Sequence, residues 1–252
     1  MRSSGLKLLR RIGLLLFILL AGPLLMASCG NIHLNSDWRS ADRSSSGQAP
    51  DPAADREAIL QVYVARAFNW RGIFAVHSWI ASKPRNAKHY TVHQVIGWRR
   101  YRQQPVVVSR EDMPDRSWFG ARPEIIAELR GGAAERAIAK LEQAIANYPY
   151  QYNYVLWPGP NSNTFTAQVA RAIPELKLDL PPTAIGKDYL PDGQLLASTP
   201  SGTGFQFSLF GLLGFSLATE EGLEINILGL STGIDPLDGA VKLPGIGRLG
   251  LR

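Results

Sequence analysis

Cysteine is nearly absent: Cys29 is the only one in 252 residues, so no intramolecular disulfide can form. Histidine is scarce too, with four residues, of which His77, His89 and His93 follow the Ser- and Pro-rich stretch near the N-terminus. These three come without paired carboxylates or a helical His-x-x-x-His spacing, so no metal or other cofactor is expected. Acids are missing where bases are dense: residues 61–110 hold nine Lys/Arg and no Asp or Glu. Beyond residue 25 no apolar run reaches the ~20 residues of a bilayer-spanning helix. Together these absences exclude a disulfide scaffold, a classical metal centre and a multi-helix membrane protein.

What is present begins with a label. Arg2, Lys7, Arg10 and Arg11 precede an almost unbroken apolar run over residues 12–25, and Met26-Ala27-Ser28-Cys29 follows. A basic segment, a short apolar segment and small residues describe a secretory signal over residues 1–28. The last four residues resemble the lipobox of bacterial lipoproteins, with Met26 departing where the pattern prefers leucine. The resemblance implies acylation of Cys29 and a lipid anchor on the periplasmic side of the cell envelope. Gly30 in place of aspartate allows the outer membrane. An uncleaved single-pass signal anchor in the inner membrane is the alternative. Net charge is +6, but the first 28 residues carry four positives and no acid, leaving +2 for the rest. The acid-free block therefore suits an anionic partner, such as a lipid headgroup, as well as it suits a solvated face. Nucleic acid is not expected as a partner, because no recognised binding module is present.

Residues 29–57, rich in Ser, Asp, Gly and Pro, read as a lipid anchor and flexible tether. Residues 58–252 are then a single globular domain, expected to be α+β, with an antiparallel sheet packed against helices. Runs at 59–68 and 73–80 alternate as strands around Asn69-Trp70-Arg71-Gly72, and further strands are expected at 91–98 and 105–109. Arg122-Pro123-Glu124 has the proline and acid of a helix start, and residues 133–148 repeat apolar groups at helical spacing. After Pro174 the chain becomes a Gly-rich β extension (176–252), expected to be a meander with the 239–252 tail draped over it.

The motif Trp157-Pro158-Gly159-Pro160-Asn161-Ser162-Asn163-Thr164-Phe165 carries the candidate chemistry. A turn delivers small polar residues to a helix start, where backbone N–H groups and the macrodipole would stabilise an oxyanion. Ser162 would be the nucleophile, His77 the general base, and His93 or His89 the group that orients it. Gln94 takes that place under a one-residue register shift. Asn161 and Asn163 are oxyanion donors or, equally, capping residues, because Ser and Asn favour the N-cap on their own account. Likewise His77 reads either as the base or as a satisfied core histidine. Arg71, Lys83, Arg85 and Arg99 would hold an anionic substrate.

A strand histidine, a polar residue on the next strand and a nucleophile at a later helix start resemble the circularly permuted NlpC-type branch of the papain-like fold. That branch includes the lecithin:retinol acyltransferase-like and PPPDE enzymes. Asn161-Ser162-Asn163-Thr164-Phe165 stands where their motif has Asn-Cys-x-x-Phe, so serine replaces cysteine. The resemblance implies a papain-like kernel over 58–175. Its implied activity is hydrolysis or acyl transfer on an envelope amide or ester. The rival is a non-catalytic envelope lipoprotein that binds an anionic lipid, glycan or protein. Phe74-Ala75-Val76-His77, the Trp157–Phe165 motif, Leu180-Pro181-Pro182-Thr183-Ala184-Ile185-Gly186-Lys187-Asp188-Tyr189 and Lys242-Leu243-Pro244-Gly245-Ile246-Gly247-Arg248 look like the bacterial domain-of-unknown-function family 3750. That likeness implies a bacterial envelope protein and no particular activity.

Overall fold

A computed structural model of the chain describes residues 2–29, 32 and 36–250. Alternating β-branched and aromatic residues build a first sheet from β1 (Ile59–Arg66), β2 (Val76–Lys83), β3 (Thr91–Val95), β4 (Val107–Glu111) and β5 (Glu124–Arg130). All pairings are antiparallel, in the order β4-β3-β2-β1-β5. The chain is α+β, as expected. β1 and β2 are buried along almost their whole length because both sheet faces are covered. On one face Leu60, Val62, Val76 and Ile80 pack beneath helices α2 (Gly131–Ala146) and α3 (Ser162–Arg171), with Leu141 and Phe165 at the centre. On the other, Ile59, Tyr63, Trp79 and Ala81 meet Trp118, Ala121 and Ala49.

Two local expectations change. Residues after Pro123 form β5, not a helix. Ile125 faces Tyr63 and Ala127 faces Val62 across a bulge, and pairing with the free edge of β1 overrides the Pro-Glu start signal. The helix begins only at Gly131. In addition, residues 36–57 do not hang free. The Asp115 carboxylate accepts from the hydroxyls of Ser45 and Ser46 and the backbone N–H groups of Gln48 and Ala49. Lys83 donates to the carbonyls of Asp55 and Glu57. The Ser, Asp and Pro residues that suggest a linker supply these short-range bonds.

The C-terminal part is a second antiparallel sheet in sequential order: β6 (Leu196–Ser198), β7 (Gly204–Leu209), β8 (Leu213–Ala218), β9 (Gly222–Ile227), β10 (Leu230–Asp235), β11 (Ala240–Leu243) and β12 (Gly247–Leu249). The expected meander is present, and its last strands come from the tail that sequence reading draped over it. Its polarity is inverted. The face toward the domain carries Gln206, Ser208, Ser216, Glu224, Asn226 and Lys242, all buried. The outer face carries Phe205, Leu213, Phe215, Leu217, Ile225 and Ile234, each 44–51% exposed.

The inner polar face is hydrogen-bonded throughout most of its centre. Lys242 Nζ bonds Asp179 Oδ1 at 2.6 Å and Glu224 Oε1 at 2.6 Å, and Glu224 Oε2 takes Lys187 Nζ at 2.5 Å. Burial lifts Asp179 above the ordinary carboxylate range despite Lys242. Glu224 is also pushed up by burial, but the ammonium groups of Lys187 and Lys242 outweigh that and hold it low. The network therefore ties the segment after α3, through Asp179 and Lys187, to the second sheet in one geometry.

Helix α1 (Arg2–Cys29) is apolar and mostly exposed, and its stretch Lys7–Cys29 is long and apolar enough to cross a membrane. Its C-terminal part meets the domain through Gly22 and Pro23, which lie against the Pro244-Gly245-Ile246 turn between β11 and β12. A Cβ on Gly22 would come within 2.0 Å of the Pro244 carbonyl oxygen, so only glycine permits this approach.

Candidate functional site

The Trp157–Phe165 motif does enter a helix, and Asn161 is its N-cap. Asn161 Oδ1 accepts from the N–H groups of Asn163 (2.9 Å) and Thr164 (3.2 Å), while Thr164 Oγ1 accepts from the Asn161 N–H at 3.1 Å. This reciprocal capping box satisfies donors that a helix start leaves open. The same side chains bind outward. Asn161 Nδ2 donates to the carbonyls of Leu156 (3.1 Å) and Ile185 (3.0 Å). Asn163 Nδ2 donates to the carbonyls of Val76 (3.0 Å) and Ile185 (2.8 Å), and Asn163 Oδ1 accepts from Ser78 Oγ at 2.8 Å. Both asparagine amides are thus fully engaged in holding α3 to β2 and to the 183–187 turn, leaving no donor for an oxyanion. The Ser162 side chain is buried and its hydroxyl makes none of these bonds.

His77 lies on the far side of β2. Successive strand residues point to opposite faces, and Ser78 is the one that bonds α3, through Asn163 and Thr166. The His77 ring stacks on Trp118 at 3.7 Å between centroids, with Trp79 beyond, and its Nε2 meets Gln94 Oε1 at 3.2 Å. Burial lowers its pKa to about 4, against a smaller opposing effect of Gln94. A neutral imidazole could accept a proton, but the five-stranded sheet stands between it and Ser162. The expected pair is not assembled.

The register explains why. A turn near Arg85 would set His93 opposite His77, whereas His93 pairs with Ile80 and Thr91 with Ser82. The displacement is odd, so it moves His93 to the face opposite His77. There His93 Nε2 meets Ser82 Oγ at 2.9 Å and Nδ1 meets Ser109 Oγ at 2.8 Å, and burial lowers its pKa to about 4. Gln94, the alternative partner, is the residue that orients His77. His89 is exposed beside an open cleft of about 470 Å³ that also contains Asp51, Glu111 and Asp112. Among the described residues no group of three or more His, Cys, Asp or Glu side chains is placed to hold a metal.

A protein family of unknown function, DUF3750, matches residues 57–189. The chain belongs to the DUF3750 family. Comparison with curated proteins and with solved structures gives no match, and the papain-like kernel gains no support from either. The DUF3750 match spans the first sheet, both domain helices, the loop before α3 and the 183–187 turn, and every partner of the Asn161 and Asn163 amides lies within it. The second sheet lies beyond the matched residues.

The four cations of the expected anion site in this DUF3750 chain do not converge. Lys83 is buried on backbone carbonyls and Arg85 pairs with Glu135, both at one end of β2. Arg71 lies just before the other end of β2, about 25 Å away for an eight-residue strand. Arg99 joins it there in the turn Gly97–Arg102, which displays Trp98, Arg100, Tyr101 and Arg102 to solvent. Partial burial raises the pKa of the half-buried Tyr154 hydroxyl, against the nearby charges of Arg71 and Arg100. Around them Phe68, Trp118 and Phe119 form one aromatic cluster with Trp98. The turn Asn69–Ile73, with Trp70 57% exposed, packs against α1. Sequence reading named Arg71 and Arg99 but missed the aromatic setting, which the Gly97-Trp98-Arg99-Arg100-Tyr101-Arg102 run spells out.

Proposed function

We propose that this DUF3750 protein is a membrane-anchored, non-catalytic module of the bacterial cell envelope that binds anionic lipid at the membrane surface. The observation that carries the reading is the neighbourhood of α1. A helix of membrane-spanning character packs against an end of the domain that presents tryptophan, tyrosine and arginine together. Aromatic rings partition to the headgroup layer, and each arginine near an anionic surface contributes about 1 kcal/mol. In this reading α1 is kept as the uncleaved signal anchor, and Cys29, exposed at its last position, is not required as an acylation site. Hydrolysis or acyl transfer by Ser162 and His77 is disfavoured, because the two side chains face opposite ways across a buried strand.

The test uses the full chain reconstituted with spin-labelled lipids. The fraction of phosphatidylglycerol label held at the protein surface should exceed that of phosphatidylcholine. It should fall to the phosphatidylcholine level in Arg100→Gln/Arg102→Gln. Equal fractions in the parent protein would remove the basis for lipid selectivity.

A further inference from the structure

We propose that the outer face of the seven-stranded sheet is a second membrane contact, lying in the interfacial layer of the bilayer that α1 enters. The inference rests on the membrane-anchored reading above and adds the surface by which the domain lies down. The outward positions of strands β6 to β12 carry no charged side chain, while the charged residues of those strands, Glu224, Asp235, Lys242 and Arg248, point inward. Water-facing sheets have the opposite polarity, and a monomer seldom exposes an apolar patch larger than a few hundred Å². Apolar-out and polar-in is the pattern of a sheet with lipid outside.

Two hairpin tips make the same point independently. Phe210 (φ 54°) and Leu228 (φ 55°) each sit in the left-handed region before a glycine, Gly211 (φ 72°) and Gly229 (φ 83°). Leu228-Gly229 is a two-residue hairpin loop, and Phe210-Gly211 is the centre of a β-turn closed by the Leu212 N–H on the Leu209 carbonyl. Paired left-handed positions normally take Asn-Gly or Asp-Gly, and a bulky apolar residue there is strained. Yet both side chains are just over half exposed, at 54% and 53%, so they gain little packing in return. Strain held at an exposed apolar tip is explained by something outside the chain.

The occupant is set by α1. Strand direction alternates along the meander, so the β7–β8, β9–β10 and β11–β12 turns emerge at one end of the sheet. The β11–β12 turn is the one that Gly22 and Pro23 of α1 touch. Trp157, 48% exposed, donates to the Leu228 carbonyl at the same end. The strands are at most six residues long, too short to span a bilayer, and the sheet has open edges that hydrocarbon does not tolerate. The face therefore rests in the interface instead of crossing it.

The experiment places a nitroxide on a single cysteine in the full chain carrying Cys29→Ser, reconstituted in phosphatidylglycerol/phosphatidylcholine vesicles. Phe215→Cys and Leu228→Cys probe the face and the tip, and Glu142→Cys on exposed α2 is the aqueous reference. The ratio of oxygen to nickel-chelate accessibility should be several-fold higher at 215 and 228 than at 142. Nickel access at 215 equal to that at 142 overturns the proposal and leaves α1 anchoring intact, provided that the samples float with the vesicles. Loss of both oxygen and nickel access at 215, with dipolar broadening between labels, means that a second copy covers the face and also overturns it. A chain that does not float overturns both readings.

Discussion

Replacing Asn161 with alanine should cost far more than replacing its neighbour Ser162. Asn161→Ala removes the cap acceptor for the Asn163 and Thr164 N–H groups, worth about 1 kcal/mol. It also removes two part-buried donated bonds, to Leu156 and Ile185, worth about 1 kcal/mol each. The loss is therefore about 3 kcal/mol, or roughly 6–12 °C in midpoint for a chain of this size. The Ser162 hydroxyl takes no part in the cap or in these bonds, so Ser162→Ala should stay within about 0.5 kcal/mol. The assay is thermal unfolding of the full chain in detergent, followed by circular dichroism. It is run beside labelling with a serine-directed phosphonate, which should give no product lost in Ser162→Ala. The reasoning is refuted if Ser162→Ala is as destabilising as Asn161→Ala, or if labelling depends on Ser162.

Gly186 has φ +99°, and a Cβ there would fall 2.3 Å from Asn161 Nδ2, so Gly186→Ala should destabilise by roughly 3 kcal/mol or more and lower the unfolding midpoint. Lys242→Ala leaves Asp179 buried without its ammonium partner and Glu224 with Lys187 alone, and should cost about 3–5 kcal/mol in the same unfolding assay. His77 and His93 are held neutral, with pKa values of about 4 against an ordinary 6.5. The unfolded chain thus binds more protons than the folded one between pH 6.5 and 4. Their contribution is complete above 6.5 and is lost as pH falls through that window, at most about 3 kcal/mol each. A shallower fall in stability from pH 6.5 to about 5 in His77→Gln/His93→Gln than in the parent is the expected outcome. Leu228→Asn relieves the left-handed strain at a hairpin tip and should raise stability by up to about 1 kcal/mol while weakening contact with vesicles.

Much of this fold is legible in the sequence because its signals are local. The period of four at Phe165, Val169 and Ile173 marks α3, and alternation through residues 59–83 marks two doubly covered strands. What sequence cannot supply is the length of the loop after Lys83. Three residues of register decided that His93 pairs with Ile80, and so decided which histidine faces which side. The capping role of Asn161 was open from the start, and only the positions of Val76, Ser78 and Ile185 turn it into a staple across three segments. Alternation in Phe205-Gln206-Phe207-Ser208-Leu209 announces a strand with two unlike faces. It says nothing about which face meets water, and the habitual assignment of apolar side inward fails here because a charged network already fills the inside. For residues 124–130, short-range cues favoured a helix, and an open edge on β1 made them a strand.

The most direct measurement of where the domain rests is the fluorescence of Trp157, the ring beside the Leu228 tip. The difference between the parent protein and Trp157→Phe isolates it from the five other tryptophans. In vesicles whose acyl chains are brominated near the glycerol end, the difference signal should be quenched strongly and resist aqueous iodide. Iodide quenching with no effect of bromine would mean that the hairpin end of the inverted sheet stands in water.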